Sequence, residues 1–305
     1  MFHVERVYLL NKNCEKLFKM NSEKTPYLSC VDYTVSNKKF DLRYNADYDM
    51  LETFPQPKVE ELDLYYQSSD YISHTDAKKS IVDKVYQIVK KYALNKKLKL
   101  INSFKNSEKT LLDIGCGTGD FLAICKINGW NVVGVEPNEN ARNLTKSKIN
   151  KKSDSTIIKD INELELEKFD VITLWHVLEH VPDLETYISK LKSLLKPNGI
   201  LVIAVPNFKS YDAFYYKQFW AAFDVPRHLW HFSKTAIQKL FIKEQMHVKK
   251  ILPMKFDSFY VSLLSEKYKT SNSNFLKAFY IGLKSNLKAI ASKEYSSLIY
   301  IIKNS

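Results

Sequence analysis

A doubly wound α/β fold, with a mostly parallel sheet and helices on both faces, is what this sequence predicts, and three observations predict it. From Thr110 onward, short apolar runs alternate with amphipathic segments of helical period, which is the pattern of strand-helix-strand units in series. The first run, Thr110 to Ile114, leads into Gly115-Cys116-Gly117-Thr118-Gly119, and three of the chain's seven glycines fall in this one loop. The second run ends at Glu136, 23 residues beyond Asp113, close to the offset of about twenty at which an acidic residue meets ribose hydroxyls in mononucleotide folds.

The elements can be justified in order. Residues 1–61 form a preamble of short alternating pieces such as Tyr33-Thr34-Val35 and Phe40-Asp41-Leu42, closing on Phe54-Pro55-Gln56-Pro57. A second methionine, Met20, offers an alternative start to Met1. The next unit, 62–305, opens with a polar and aromatic stretch. Ile81, Val85, Ile88 and Tyr92 then recur at helical spacing and should pack one face on the sheet. Strand Thr110–Ile114 is followed by a helix from Asp120 to about Asn128, stopped by Gly129. Strand Asn131–Val135 precedes a helix through Leu144. A third strand spans Ser155–Ile158 and a fourth Phe169–Leu174. Pro182 starts a helix that Pro197-Asn198-Gly199 stops before strand Ile200–Val205. Beyond a long connection come a helix from Ser233 to about Gln245, a strand near Val248–Leu252, a helical stretch, and Ser297–Lys303 as a final edge strand.

Composition excludes several function classes. Apolar residues make up 45% and charged residues 26%, as in ordinary globular proteins. No apolar run reaches the length of a membrane span, so a cytoplasmic protein with no membrane partner is expected. The formal net charge of +12 invites nucleic acid. The only arginines, however, are Arg6, Arg43, Arg142 and Arg227, and phosphate forks and base readout favour arginine over lysine. A solvated lysine surface is the expectation, with no nucleic-acid partner. Cys14, Cys30, Cys116 and Cys125 include no C-x-x-C, so neither a zinc site nor a disulfide framework is expected.

The glycine loop carries the chemistry. Glycine lets the backbone turn with positive φ and approach a ligand with no Cβ in the way. A dinucleotide fingerprint has the spacing G-x-G-x-x-G, which disfavours a nicotinamide oxidoreductase here. The spacing is D-x-G-x-G-x-G, and the anionic Asp113 at a strand end suits a cationic ligand better than a pyrophosphate. This loop, with Glu136 and the later Trp175-His176-Val177-Leu178-Glu179-His180, resembles the class I S-adenosylmethionine-dependent methyltransferases. The resemblance is closest to the small-molecule group with a histidine-leucine-glutamate-histidine motif, and it covers about Leu62 to Glu244.

The resemblance implies a Rossmann-like seven-stranded sheet and S-adenosylmethionine as cofactor. It implies contacts from Asp113, Gly115, Gly117, Gly119, Glu136 and Pro137, with Asp160 accepting from the adenine amino group and Ile161 packing on the ring. Trp175 and His176 should line the methionine end. For Asp160, a helix N-cap is the competing reading. Segments preceding the core close over the cofactor in this family, which would bring Tyr66, Tyr71 and His74 near the methyl group. The preamble resembles a zinc ribbon of which only Cys30 remains. Some quinone-pathway O-methyltransferases hold a metal after strand 4, and His176, Glu179 and His180 occupy those positions, but the first carboxylate is replaced and no metal is expected.

Two insertions complete the expectation, at about 206–232 and 257–293. The first is dense in aromatics, among them Trp220, and ends in Asp224-Val225-Pro226-Arg227-His228-Leu229-Trp230-His231. Long loops over the carboxyl edge of a parallel sheet are where ligand sites form. His231 or His228 is expected as the general base toward a hydroxyl acceptor, with Arg227 binding an acidic substrate group and Trp220 lining the pocket. The reading is an S-adenosylmethionine-dependent methyltransferase of a small molecule, acting at oxygen, as monomer or homodimer. A silent cofactor-binding module and a protein or nucleic-acid methyltransferase are the alternatives.

Overall fold

The computed structural model describes residues 25–66, 81–104, 108–149, 156–272 and 274–305. Its centre is a seven-stranded sheet built from β4 (Thr110–Ile114), β5 (Asn131–Val135), β6 (Ile157–Ile158), β7 (Phe169–Trp175), β8 (Leu195–Pro206), β10 (Met246–Pro253) and β11 (Ser297–Asn304). The order across the sheet is β10-β11-β8-β7-β4-β5-β6. The five strands from β4 to β8 are parallel, while β11 runs antiparallel to both β8 and β10. This is the expected doubly wound fold. Between β4 and β7 the winding reverses direction, so the crevice beyond their carboxyl ends is the natural ligand position.

Helices cover both faces. On one, α1 (Ile81–Asn102), α2 (Asp120–Ile127) and α3 (Glu139–Ile149) bury Leu98, Ile101, Phe121, Leu122, Cys125 and Ile149 against Leu111, Val132, Val171 and Val202. On the other, α4 (Leu184–Leu194) and α6 (Lys234–Lys243) bury Leu184, Ile188, Leu191, Ile237 and Leu240 against Leu112, Ile172, Leu201 and Ile203. Asp183 and Ser233 cap these two helices by accepting from Thr186 N–H and Ala236 N–H, which offsets part of the cost of unpaired N-terminal amides. Between them, α5 (Tyr211–Tyr216) lies in the connection after β8.

Two expectations are corrected. Strand β11 is not an edge: it lies between β8 and β10, and its Leu298, Tyr300, Ile301 and Ile302 are all buried. The continuous apolar run reflects burial on both faces, and the true edge is β10. In helix α1, whose side chains are described from Gln87 onward, the buried positions fall later than expected. Ile88 is 69% and Tyr92 45% exposed, whereas Leu98 and Ile101 are buried, because Leu94, Leu98 and Ile101 continue a helical stripe that reaches the sheet.

The preamble is a meander of β1 (Leu28–Val31), β2 (Lys39–Asn45) and β3 (Met50–Phe54), extended by β9 (Trp230–His231) into a four-stranded antiparallel sheet. A third core forms here, joining Leu42 and Leu51 to Tyr216, Trp220, Phe223 and Val225. The preamble and the first insertion therefore fold together. The second insertion is a helical hairpin of α7 (Asp257–Thr270) and α8 (Phe275–Ser292).

Candidate active site

Strand β4 delivers Asp113 to its end at 2% exposure, and the parallel register sets it opposite Thr173 of β7. Thr173 Oγ1 donates to Asp113 Oδ1 at 2.6 Å. Burial pushes this carboxyl up to about 7, against the pull of Thr173 and Lys97. A buried carboxylate held short of full pairing is poised for a cationic ligand.

The loop glycines differ in what surrounds them, although all three have positive φ. A Cβ on Gly115 would stand 2.5 Å from Val177 Cγ2, and one on Gly119 would stand 2.6 Å from Thr145 Cγ2. Gly117 has nothing within 4 Å, so the loop backbone is open at that point. Glu136, at the end of β5, accepts from Gly117 N–H at 2.8 Å through Oε2 and from Asn138 N–H at 2.9 Å through Oε1. Each oxygen retains a lone pair. The acid and the glycine loop are thus one hydrogen-bonded unit, which a cofactor with a diol and an ammonium group would fit.

Pro137 is exposed beside Glu136, and its carbonyl accepts from Arg142 at 2.7 Å. Ile161 is buried. Asp160 caps the short turn 161–163, accepting from Asn162 N–H at 2.7 Å, while Glu163 accepts from Asp160 N–H at 2.9 Å. The capping alternative thus describes its contacts. Trp175 meets Phe121 edge to face, Lys97 Nζ sits 4.2 Å from its ring centroid, and its buried Nε1 has no hydrogen-bond partner among the described residues.

The segment after β7 packs directly on the glycine loop through Val177. His176, with φ of 60°, is held between Glu179 Oε1 at 3.4 Å and Asp257 Oδ2 at 3.1 Å. Burial alone would lower it, but the hydrogen bond and charge of Asp257 and the charge of Glu179 raise it to about 10. Asp257 begins α7, and sequence reasoning missed it because the contact crosses some eighty residues of chain.

Glu179 is fully buried and neither oxygen accepts a hydrogen bond among the described residues. Burial would raise it, but the adjacent His176 holds it below the usual carboxylate range. His228 Nε2 lies 4.0 Å from Glu179 Oε1. Its Nδ1 is 2.9 Å from the Ala222 carbonyl; a carbonyl only accepts, so Nδ1 carries a proton. His180 meets His228 edge to face at 4.6 Å and contacts the Tyr66 hydroxyl and Arg227 carbonyl through Nδ1. Burial lowers His180 to about 4. One donor atom each from Glu179, His180 and His228 lies within 4.8 Å of the others. A metal ion would fit this trio better than the His176, Glu179 and His180 set, since His176 is drawn to Asp257.

Three expected site residues are buried among protein partners. His231 is buried and pairs with Leu51 across β9 and β3. Thr53 Oγ1 gives its proton to the His228 carbonyl at 2.6 Å, so at 3.0 Å it accepts from His231 Nε2. Burial lowers His231 well below its usual range, and the ring's work is to hold Thr53. Arg227 is 1% exposed. Its guanidinium donates to Asp224, Asp32, Thr34 and the Tyr65 carbonyl, which leaves no face for an acidic substrate. Trp220 is 2% exposed in the third core and donates to Asp212 at 2.8 Å. Tyr71 and His74 lie outside the described residues.

Fold and site together define a doubly wound α/β protein with a glycine loop joined to an acidic strand end. The chain belongs to the methyltransferase domain family, whose model matches residues 86–245. It is 33% identical over 104 residues to a ubiquinone biosynthesis O-methyltransferase from Rhodopseudomonas palustris (strain HaA2), covering 32% of this chain and 40% of that protein. It is 38% identical over 108 residues to one from Actinobacillus pleuropneumoniae serotype 7 (strain AP76), covering 32% and 46%. The matches thus span less than half the length of these relatives. Among solved structures, magnesium protoporphyrin IX methyltransferase from Synechocystis PCC 6803 with bound SAH superposes with a TM-score of 0.53 at 16% identity, over 79% of this chain and 97% of that one. A second, the StiE O-MT residues 961–1257, gives 0.51 at 13% identity over 74% and 78%. Both show the same fold.

Proposed function

We propose that this chain is an S-adenosylmethionine-dependent methyltransferase that methylates a hydroxyl of a small molecule. The observation that carries the acceptor type is the pairing of His228 and Glu179: an imidazole anchored through Nδ1 on the Ala222 carbonyl, with Nε2 4.0 Å from a buried carboxylate that accepts no hydrogen bond among the described residues. The relatives' names, ubiquinone biosynthesis O-methyltransferase, support transfer to oxygen.

When bound, S-adenosylmethionine supplies an electrophilic methyl group on a sulfonium. Glu136 would accept from the ribose diol, the Gly117 backbone would let the cofactor approach, and Asp113 would offset its positive charge. His228 Nε2 would take the acceptor's hydroxyl proton as the oxygen–methyl bond forms and the sulfur–methyl bond breaks. The buried Glu179 carboxylate then stabilises the imidazolium. His180, held neutral, and Tyr66 wall the same space. His176 keeps Glu179 ionised, so that it stabilises charge on His228 and does not compete for the proton.

Calorimetric titration with S-adenosylmethionine, beside Asp113→Ala and Glu136→Ala, tests the cofactor reading, with binding expected for the wild type and lost in both variants. S-adenosylhomocysteine release across a panel of phenols, catechols and amines tests the acceptor. Release with amines alone would overturn the oxygen assignment.

A further inference from the structure

Helix α8 carries apolar residues on two sides, and the described residues cover one of them. Ala278, Ile281, Gly282, Ser285 and Ala289 are buried, forming a flat strip. A Cβ on Gly282 would meet Phe259 Cδ1 at 2.8 Å, and Phe259 stacks on Phe279 at 5.3 Å, so the strip fits closely on α7. The opposite side presents Leu276 (86% exposed), Phe279 (61%), Leu283, Leu287 and Ile290, with Phe275 and Tyr280 at its borders. A helix apolar all round is ordinarily buried all round, and contiguous exposed apolar surface marks an interaction site.

The charges beside this stripe select the partner. Lys277, Lys284 and Lys288 fall on one flank, seven and four residues apart in register, and α8 contains no acidic residue. Residues 255–293 hold seven lysines against two carboxylates. Asp257 is engaged by His176, and Glu266 is fully buried with Lys277 Nζ at 3.6 Å. A second copy docking about a two-fold axis would set lysine row against lysine row. An anionic surface that also accepts hydrocarbon side chains has neither conflict. No described helix is long and apolar enough to cross a membrane, but an interfacial helix needs no such length. It needs leucine and phenylalanine on one face and lysine beside them.

We propose that α8 docks the protein in plane on an anionic lipid bilayer, inserting the Leu276, Phe279, Leu283, Leu287 and Ile290 stripe while the lysines meet headgroups. The expectation of no membrane partner rested on the lack of a span, which an interfacial helix does not need. The helix lies beyond the residues that match the family model, and the proposal does not rest on the methyltransferase reading.

Co-sedimentation of the full chain with vesicles tests it, using phosphatidylcholine alone and phosphatidylcholine mixed with phosphatidylglycerol. Binding is expected only to the anionic vesicles and should weaken with salt. Because the stripe is exposed, a triple variant Leu276→Glu, Leu283→Glu, Leu287→Glu should keep its fold by circular dichroism and lose binding. Lys284→Gln with Lys288→Gln should weaken binding about thirtyfold. Failure of the wild type to bind anionic vesicles overturns the proposal, as does equal binding by the folded triple variant. A concentration-dependent dimer that the triple variant dissociates also overturns it, assigning the stripe to a second copy.

Discussion

Glu179 Oε1 and His228 Nε2 stand 4.0 Å apart, one from the turn after β7 and the other from the first insertion, and the backbone joins the same two elements where Leu229 N–H donates to the Glu179 carbonyl at 2.8 Å. Under the proposed mechanism, this distance keeps the carboxylate near enough to stabilise the protonated ring.

His228→Asn should therefore lower kcat by about a hundredfold or more, the usual weight of a general base, and leave S-adenosylmethionine affinity within about twofold. His231→Asn should act differently. It disturbs Thr53, and through Thr53 the His228 carbonyl, so the expected effect is on thermal stability first. Steady-state kinetics and thermal melts on both variants check this, and a larger kcat loss in the His231 variant would reverse the assignment.

Arg227 and Asp32 lie 195 residues apart and pair at 3.0 Å with almost no exposure. Removing one partner of a buried ion pair strands the other charge, at a cost of about 3–5 kcal/mol. Arg227→Met should accordingly destabilise the preamble against the insertion, strongly enough to lower the melting temperature by several degrees. Asp32→Asn should be milder, since Asp224 still holds the guanidinium. Chemical denaturation measures both.

Strands β4 and β5 were legible to the residue, Thr110–Ile114 and Asn131–Val135, because an apolar run bounded by turn residues is a local signal. The roles of Arg227 and His231 were not. Both sit in a polar, aromatic window that reads as a site, and their function is decided by Asp32 and Thr53, far off in the chain. No periodicity carries a contact of that separation. The position of β11 was hidden for a related reason: strand order is a tertiary property. Its unbroken Leu298-Ile299-Tyr300-Ile301-Ile302 run was the available clue to two-sided burial. In α1, both halves offer apolar residues at helical spacing, and only the sheet's position chooses Leu98 and Ile101 over Ile88 and Tyr92.

If the Glu179, His180 and His228 trio works as a base and its support, ethylenediaminetetraacetate should leave turnover unchanged. Loss of activity on chelation, with recovery on adding zinc or magnesium, would transfer those side chains to a metal ion. Metal analysis of the purified protein by mass spectrometry provides the independent check.

Asp113 offers the sharpest test of pH dependence. Its carboxyl is raised to about 7 by burial, whereas in the unfolded chain it titrates near 4. The folded state thus holds this proton more tightly than the unfolded state. The resulting stability is fully present below about pH 4, declines as pH rises, and is gone above about pH 7. Asp113→Asn removes the titration but keeps an oxygen for Thr173 Oγ1 to donate to. The difference in unfolding free energy between variant and wild type should therefore grow with pH from about 4 to 7 in the variant's favour, then level off. The same variant should lose S-adenosylmethionine binding, because the carboxylate that costs stability in the free protein is the one proposed to meet the cofactor's charge. Denaturation curves at a series of pH values, read beside calorimetric titrations at pH 8, measure both effects. A variant no more stable than wild type at pH 8 would mean that Lys97 already offsets the buried charge, and one that still bound the cofactor fully would remove Asp113 from the site.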